Sequence, residues 1–157
     1  QMTRNALILI AAVGLAAAIL ILWRGSAATE TAAQDQAVIA LGQRLYADNC
    51  ASCHGADLEG QPDWQSARED GTYPAPPHDE TGHTWHHGDA MLRDYIRRGG
   101  QAVLDDMGVD FTSGMPGFGD ELTEDDIEAV LAYIRSTWPD RIRAAQAERS
   151  QLEAGSP

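Results

Sequence analysis

The segment Asn49-Cys50-Ala51-Ser52-Cys53-His54-Gly55 holds the only two thiols in the chain, separated by two residues and followed at once by a histidine. Two cysteines at that spacing serve a redox disulfide, half of a tetrahedral zinc site, or attachment of a haem. A Cys-type zinc site needs further thiols, and the sequence has none. A thioredoxin-like dithiol belongs beside a βαβ pattern, which is not readable here. Cys-Ala-Ser-Cys-His after a helix suits c-type haem attachment, in which Cys50 and Cys53 add across two vinyl groups and His54 becomes the proximal iron ligand.

A haem held this way must be sandwiched, so a second axial ligand is expected far along the chain. Met115 lies 61 residues after His54 in the glycine- and proline-rich loop Ser113-Gly114-Met115-Pro116-Gly117-Phe118-Gly119. A thioether suits low-spin iron and raises its potential. Met107 is the nearest rival, whereas Met91 sits on a helical face and reads as core filling. The expected metal ligands are therefore His54 and Met115.

Four elements must position these groups. Val38, Leu41, Leu45 and Tyr46 recur at helical spacing up to the Cys motif. Residues 61–88, with Pro62, Pro74, Pro76 and Pro77, read as a long ordered loop. Asp89 is expected to cap a short helix carrying Met91, Leu92, Tyr95 and Ile96 that stops at Gly99-Gly100, ahead of a glycine-rich loop. Thr123 opens a capping-box pattern before the apolar face Ile127, Val130, Leu131 and Ile134, and Pro139 interrupts that helix.

Outside this region the chain changes character. Residues 6–23 are uncharged and apolar between Arg4 and Arg24, and as a helix they would span about 27 Å, enough for a bilayer core. This reads as an uncleaved anchor, because the apolar part of a signal peptide is shorter. The expected organisation is an anchor at 1–25, a flexible tether at 26–35, a domain at 36–139 and a polar, partly helical tail at 140–157. Net charge is −13, and every basic residue other than histidine is arginine. That balance argues against a nucleic-acid partner and against docking on anionic headgroups, while suiting a partner with a positive surface or serving solubility alone.

Two clusters invite other readings. His78, His83, His86 and His87 fall within ten residues; such a loop could hold a second metal, wrap a haem edge with Trp85 or a histidine donating to a propionate, or present histidines of no special role. Arg93, Arg97 and Arg98 make a small basic patch that would meet a propionate or an acidic partner, or simply solvent.

Taken together, the Cys50–His54 motif, the Met115–Gly119 loop, Gly42 and Tyr46, and the run Val130–Pro139 resemble a membrane-anchored monohaem class I cytochrome c over about residues 36–139. The resemblance implies an all-α fold around one covalent haem c, with the first and last helices crossing at Gly42 and Tyr46 and Tyr133 packed there. It also implies that a carbonyl of the Pro74–Pro77 segment accepts the proton of His54's other ring nitrogen. The long histidine-bearing insertion and the absence of lysine depart from the pattern. With both axial positions filled, the chain would be an electron carrier and not an enzyme. By the same resemblance it would connect a quinol-oxidising bc-type complex with a haem-copper oxidase or photosynthetic reaction centre, from the periplasmic side of a bacterial inner membrane. A fixed subunit of such a complex, and a peroxidase-like or sensor haem protein with a displaceable Met115, remain alternatives.

Overall fold

The computed structural model describes residues 4–155, apart from most side chains of 4–28. The element order is α1 (Arg4–Asn49), α2 (Ala51–His54), β1 (Thr72–Tyr73), a 3₁₀ turn (Thr84–His86), α3 (Asp89–Arg98), α4 (Gly100–Met107), β2 (Thr112–Ser113), α5 (Glu124–Thr137) and α6 (Asp140–Ala154). The protein is therefore mostly helical, with one two-residue parallel pairing in which Thr72 faces Thr112 and Tyr73 faces Ser113.

The chain divides into two units, Gln1–Ala37 and Val38–Pro157. In the first, most side chains of the apolar segment 6–23 lie outside the described residues. Among the described residues no helix is long and apolar enough to cross a membrane. Residues 26–35, expected as a flexible tether, are helical in α1. The run from Ser26 to Asp35 contains no glycine or proline and is rich in alanine and other residues compatible with helix, so nothing in it breaks the backbone ladder.

In the second unit α5 is the central element. Thr123 accepts the Asp126 N–H and the Asp126 carboxylate accepts the Thr123 N–H, a reciprocal cap that starts the helix. Ile127, Val130, Leu131 and Ile134 are almost fully buried along one face, and each contributes about 1.5–3 kcal/mol of transfer free energy. They join Tyr46 of α1, Leu92 and Ile96 of α3, Trp138 and Ile142 in one core. The crossing of α1 and α5 occurs at Gly42, where a Cβ would stand 1.8 Å from the Ala129 carbonyl oxygen. Tyr46 and Tyr133 pack there with ring centroids 5.5 Å apart.

Three elements differ from expectation. Helix α4 occupies the segment read as a glycine-rich loop. Gly99 has φ +84°, which ends α3 sharply, and a new helix starts at the next residue, so the two glycines mark a corner. Asp89 is the first residue of α3 and not its cap, and its carboxylate accepts from Arg135 and Gln146. The C-terminal segment is no mere tail. Within α6, Ile142 and Gln146 are buried, Ser150 accepts the Asp89 N–H, and Glu153 accepts the N–H groups of Ala90 and Met91 at 2.8 and 3.0 Å. These bonds satisfy backbone donors at the start of α3 that would otherwise lack partners.

Candidate haem site

Helix α1 delivers the chain to the Cys motif, where Cys50 precedes the short helix α2, Ala51–His54. The two sulfurs are not bonded to one another; Cys50 is half-buried and Cys53 exposed. Burial, with Cys53 adding a smaller contribution, pushes the Cys50 thiol up to about 11, so it stays protonated and is a poor thiolate nucleophile or metal ligand.

His54 is buried, and its Nδ1 donates to the Pro76 carbonyl at 2.8 Å. That bond fixes the tautomer and ring orientation and leaves Nε2 free. Burial lowers the His54 pKa, with the Pro76 bond opposing, and the ring is held neutral as a metal ligand must be. The Pro76 carbonyl is itself placed by close backbone packing. Gly60, at φ +68°, and Gly82 enclose Pro77 so tightly that a Cβ on either would lie 2.4 Å from its nitrogen or 2.0 Å from its oxygen. His78 N–H donates to Leu58 and Gly60 N–H to the His54 carbonyl, each at 2.8 Å. Among the candidates from Pro74 to Pro77, the structure selects Pro76.

Met115 is half-buried and packs against the core, whereas Met107, at the end of α4, is 51% exposed. The Met115 loop is tied down by its own backbone: Gly100 N–H donates to the Met115 carbonyl at 3.0 Å and Met115 N–H to Ser113 Oγ at 3.2 Å.

The histidines separate into two groups. His78 lies against His54, with ring centroids 4.0 Å apart, and burial holds its pKa well below the ordinary value. Its carbonyl accepts Trp138 Nε1–H at 2.7 Å, which ties the loop to the end of α5. His83 stacks on Trp64, His87 meets His83 edge-on at 5.3 Å, and His86 stacks on Trp85. Among the described residues no group of three His, Cys, Asp or Glu side chains is arranged to hold a metal ion. The arginine patch is neutralised: Arg93 pairs with Glu128, Arg97 with Glu124, and Arg98 with Asp94 and Asp106. Sequence reasoning missed the special position of His78; its place two residues after the accepting Pro76 is the only signal that could have revealed it.

Two buried nitrogens, His78 Nε2 and Trp85 Nε1, have no hydrogen-bond partner among the described residues. Buried polar groups left unpaired are costly, and acceptor oxygens such as haem carboxylates would satisfy them. Together with a neutral, oriented imidazole and two unbridged thiols, these groups fit a covalently held haem.

Such a mostly helical unit, with its histidine oriented by a proline carbonyl beside a Cys-x-x-Cys turn, defines a small haem c protein. The chain belongs to the cytochrome c family, whose profile matches residues 39–138. A curated relative, the Cbb3-type cytochrome c oxidase subunit CcoP of Rubrivivax gelatinosus, is 55% identical over 31 residues, which is 20% of this chain and 10% of that protein. The chain thus covers about a tenth of that relative's length. No solved structure matches the chain. The family carries covalent haem c, and Cys50 and Cys53 have the spacing for it.

Proposed function

We propose that the protein is a membrane-tethered one-electron carrier whose haem c is ligated by His54 and Met115. When bound, the haem supplies a one-electron Fe(II)/Fe(III) couple. The observation that carries the reading is the 2.8 Å bond from His54 Nδ1 to Pro76, which commits one ring nitrogen and leaves the other for iron. Met115 supplies the second ligand from a loop pinned at both Gly100 and Ser113. Trp85 Nε1 and His78 Nε2, buried and without partners among the described residues, would be the groups to donate to its carboxylates. Held by both His54 and Met115, the iron would have no position left for oxygen or peroxide, and the chain would carry electrons without catalysis.

Exposed Leu15, Leu20 and Ile21 in α1 support the anchor reading, since side chains of that size and kind favour lipid over water. The domain then lies on the periplasmic side of a bacterial inner membrane. It exchanges electrons between a quinol-oxidising bc-type complex and a haem-copper oxidase or reaction centre. A second reading, a fixed subunit of a terminal oxidase, is favoured by the local identity to an oxidase subunit. Co-purification at fixed stoichiometry in mild detergent would select it over a mobile carrier.

The ligand assignment is tested in the ferric holoprotein. Met115→Ala should abolish the weak near-red band of thioether-ligated haem, lower the reduction potential substantially and admit cyanide. Met107→Ala, at an exposed site, should change none of these and cost about 0.5 kcal/mol or less. Loss of the band in Met107→Ala instead would move the ligand by eight residues.

A further inference from the structure

The pairing of β1 with β2 joins two segments of different duty. Tyr73, in β1, stands three residues before Pro76, the acceptor that orients His54. Ser113, in β2, stands two residues before Met115. Tyr73 and Phe111 stack across this seam with centroids 4.1 Å apart and planes 18° from parallel. At about 3.5 Å per residue, Phe111 is within about 14 Å of Met115 along the chain.

Apolar side chains remain outside at this seam. Within the Val38–Pro157 unit, the large exposed apolar side chains among the described residues are Val38, Met107, Val109, Phe111 and Leu152. Three of these five fall within residues 107–111, with exposures of 51% for Met107, 41% for Val109 and 36% for Phe111. The charge beside them is predominantly acidic, Asp106 being paired with Arg98. From Gly99 to Ile134 the sequence contains nine acidic residues and no lysine or arginine. Asp105 and Asp106 precede Met107, and Asp110 stands between Val109 and Phe111.

We propose that Met107, Val109 and Phe111, flanked by Asp105, Asp106 and Asp110, form the surface on which a redox protein docks, and that this partner presents an apolar centre with a basic rim. The inference rests on the electron-carrier reading. The sign of the charge selects the occupant: an anionic lipid surface is repelled, and a second copy of this chain would set these carboxylates against one another, whereas a basic rim is attracted and steered. The apolar centre supplies contact area with little desolvation of charge. The exchange is of one electron, the cytochrome being oxidised as the partner's acceptor is reduced, or the reverse.

The test uses full-length holoprotein in mild detergent on gold electrodes bearing mixed amine- and methyl-terminated monolayers, which imitate a basic, partly apolar partner. Interfacial electron transfer should be faster there than on carboxylate and methyl monolayers, and should slow as salt is raised. Asp110→Arg should slow transfer on the amine surface about tenfold, and Glu148→Arg, the same charge reversal on exposed α6, less than about twofold. Val109→Ser should slow transfer where methyl groups are present and leave a purely amine surface unaffected. Equal slowing by the two charge reversals would show that only net charge matters and would overturn the proposal, as would no effect of either. The near-red band and potential, read on every sample, separate failure of the ligand assignment from failure of the surface.

Discussion

The surroundings of His54 and His78 have one effect in common: burial favours the neutral imidazole at both, against the Pro76 hydrogen bond at His54. His87 extends this to the insertion, its pKa lowered first by burial and then by repulsion from His83 and His86, with Arg149 adding to the repulsion and Glu153 opposing it. A histidine whose folded pKa is depressed takes up its proton more readily in the unfolded chain. Its contribution to stability is therefore full above the unfolded value of about 6.5 and is lost as pH falls from there through the depressed folded value. His83 is shifted in the same direction, by burial and then His86. The denaturation midpoint of the holoprotein should fall between pH 7 and pH 5, and His87→Gln should flatten that slope. A slope unchanged by His87→Gln would place its cause in other groups.

The contact of α1 with α5 brings the two backbones close at Gly42, with Tyr46 packed on Tyr133 beside it. A Cβ at Gly42 would meet Ala129 oxygen at 1.8 Å and its carbonyl carbon at 2.4 Å, and neither can move aside as a flexible side chain would. Alanine would gain about 1 kcal/mol of helix propensity, which the clash exceeds. Gly42→Ala should thus destabilise the domain by about 3 kcal/mol, the upper end of ordinary overpacking. Gly114→Ala serves as the comparison, because a Cβ there meets nothing within 4 Å. Urea titration of both holoproteins should show a large midpoint shift for the first and about 0.5 kcal/mol or less for the second.

For the molecule as a whole, the anchor proposed above would give the two ends of the sequence opposite relations to a membrane. Residues 6–23 are uncharged and long enough for a bilayer core, while the remainder is strongly acidic and repelled by anionic headgroups. The full chain should remain with the membrane fraction after a high-salt wash. A chain beginning near Ala27, exported behind a cleavable signal, should be soluble with the same absorption spectrum. Recovery of the native protein in soluble form, trimmed near Ala27, would identify residues 6–23 as a signal peptide.

Local chemistry was legible in the sequence wherever neighbouring residues act together. Cys50, Cys53 and His54 are diagnostic because a porphyrin sets their spacing, and Thr123 with Asp126 because a helix start leaves donors in need of acceptors. The close crossing at Gly42 was expected from the family resemblance, and a Cβ there would indeed meet the Ala129 backbone. What depended on contacts between distant segments was not legible. The choice of Pro76 among neighbouring prolines is set by Gly60 and Gly82 closing on Pro77. The ion pairs that neutralise Arg93, Arg97 and Arg98 come from α5 and α4. A polar tail became a docked helix because Ser150 and Glu153 meet backbone donors of α3 more than sixty residues away. Periodicity reports which face of an element is apolar; only the fold decides which partner each polar group finds.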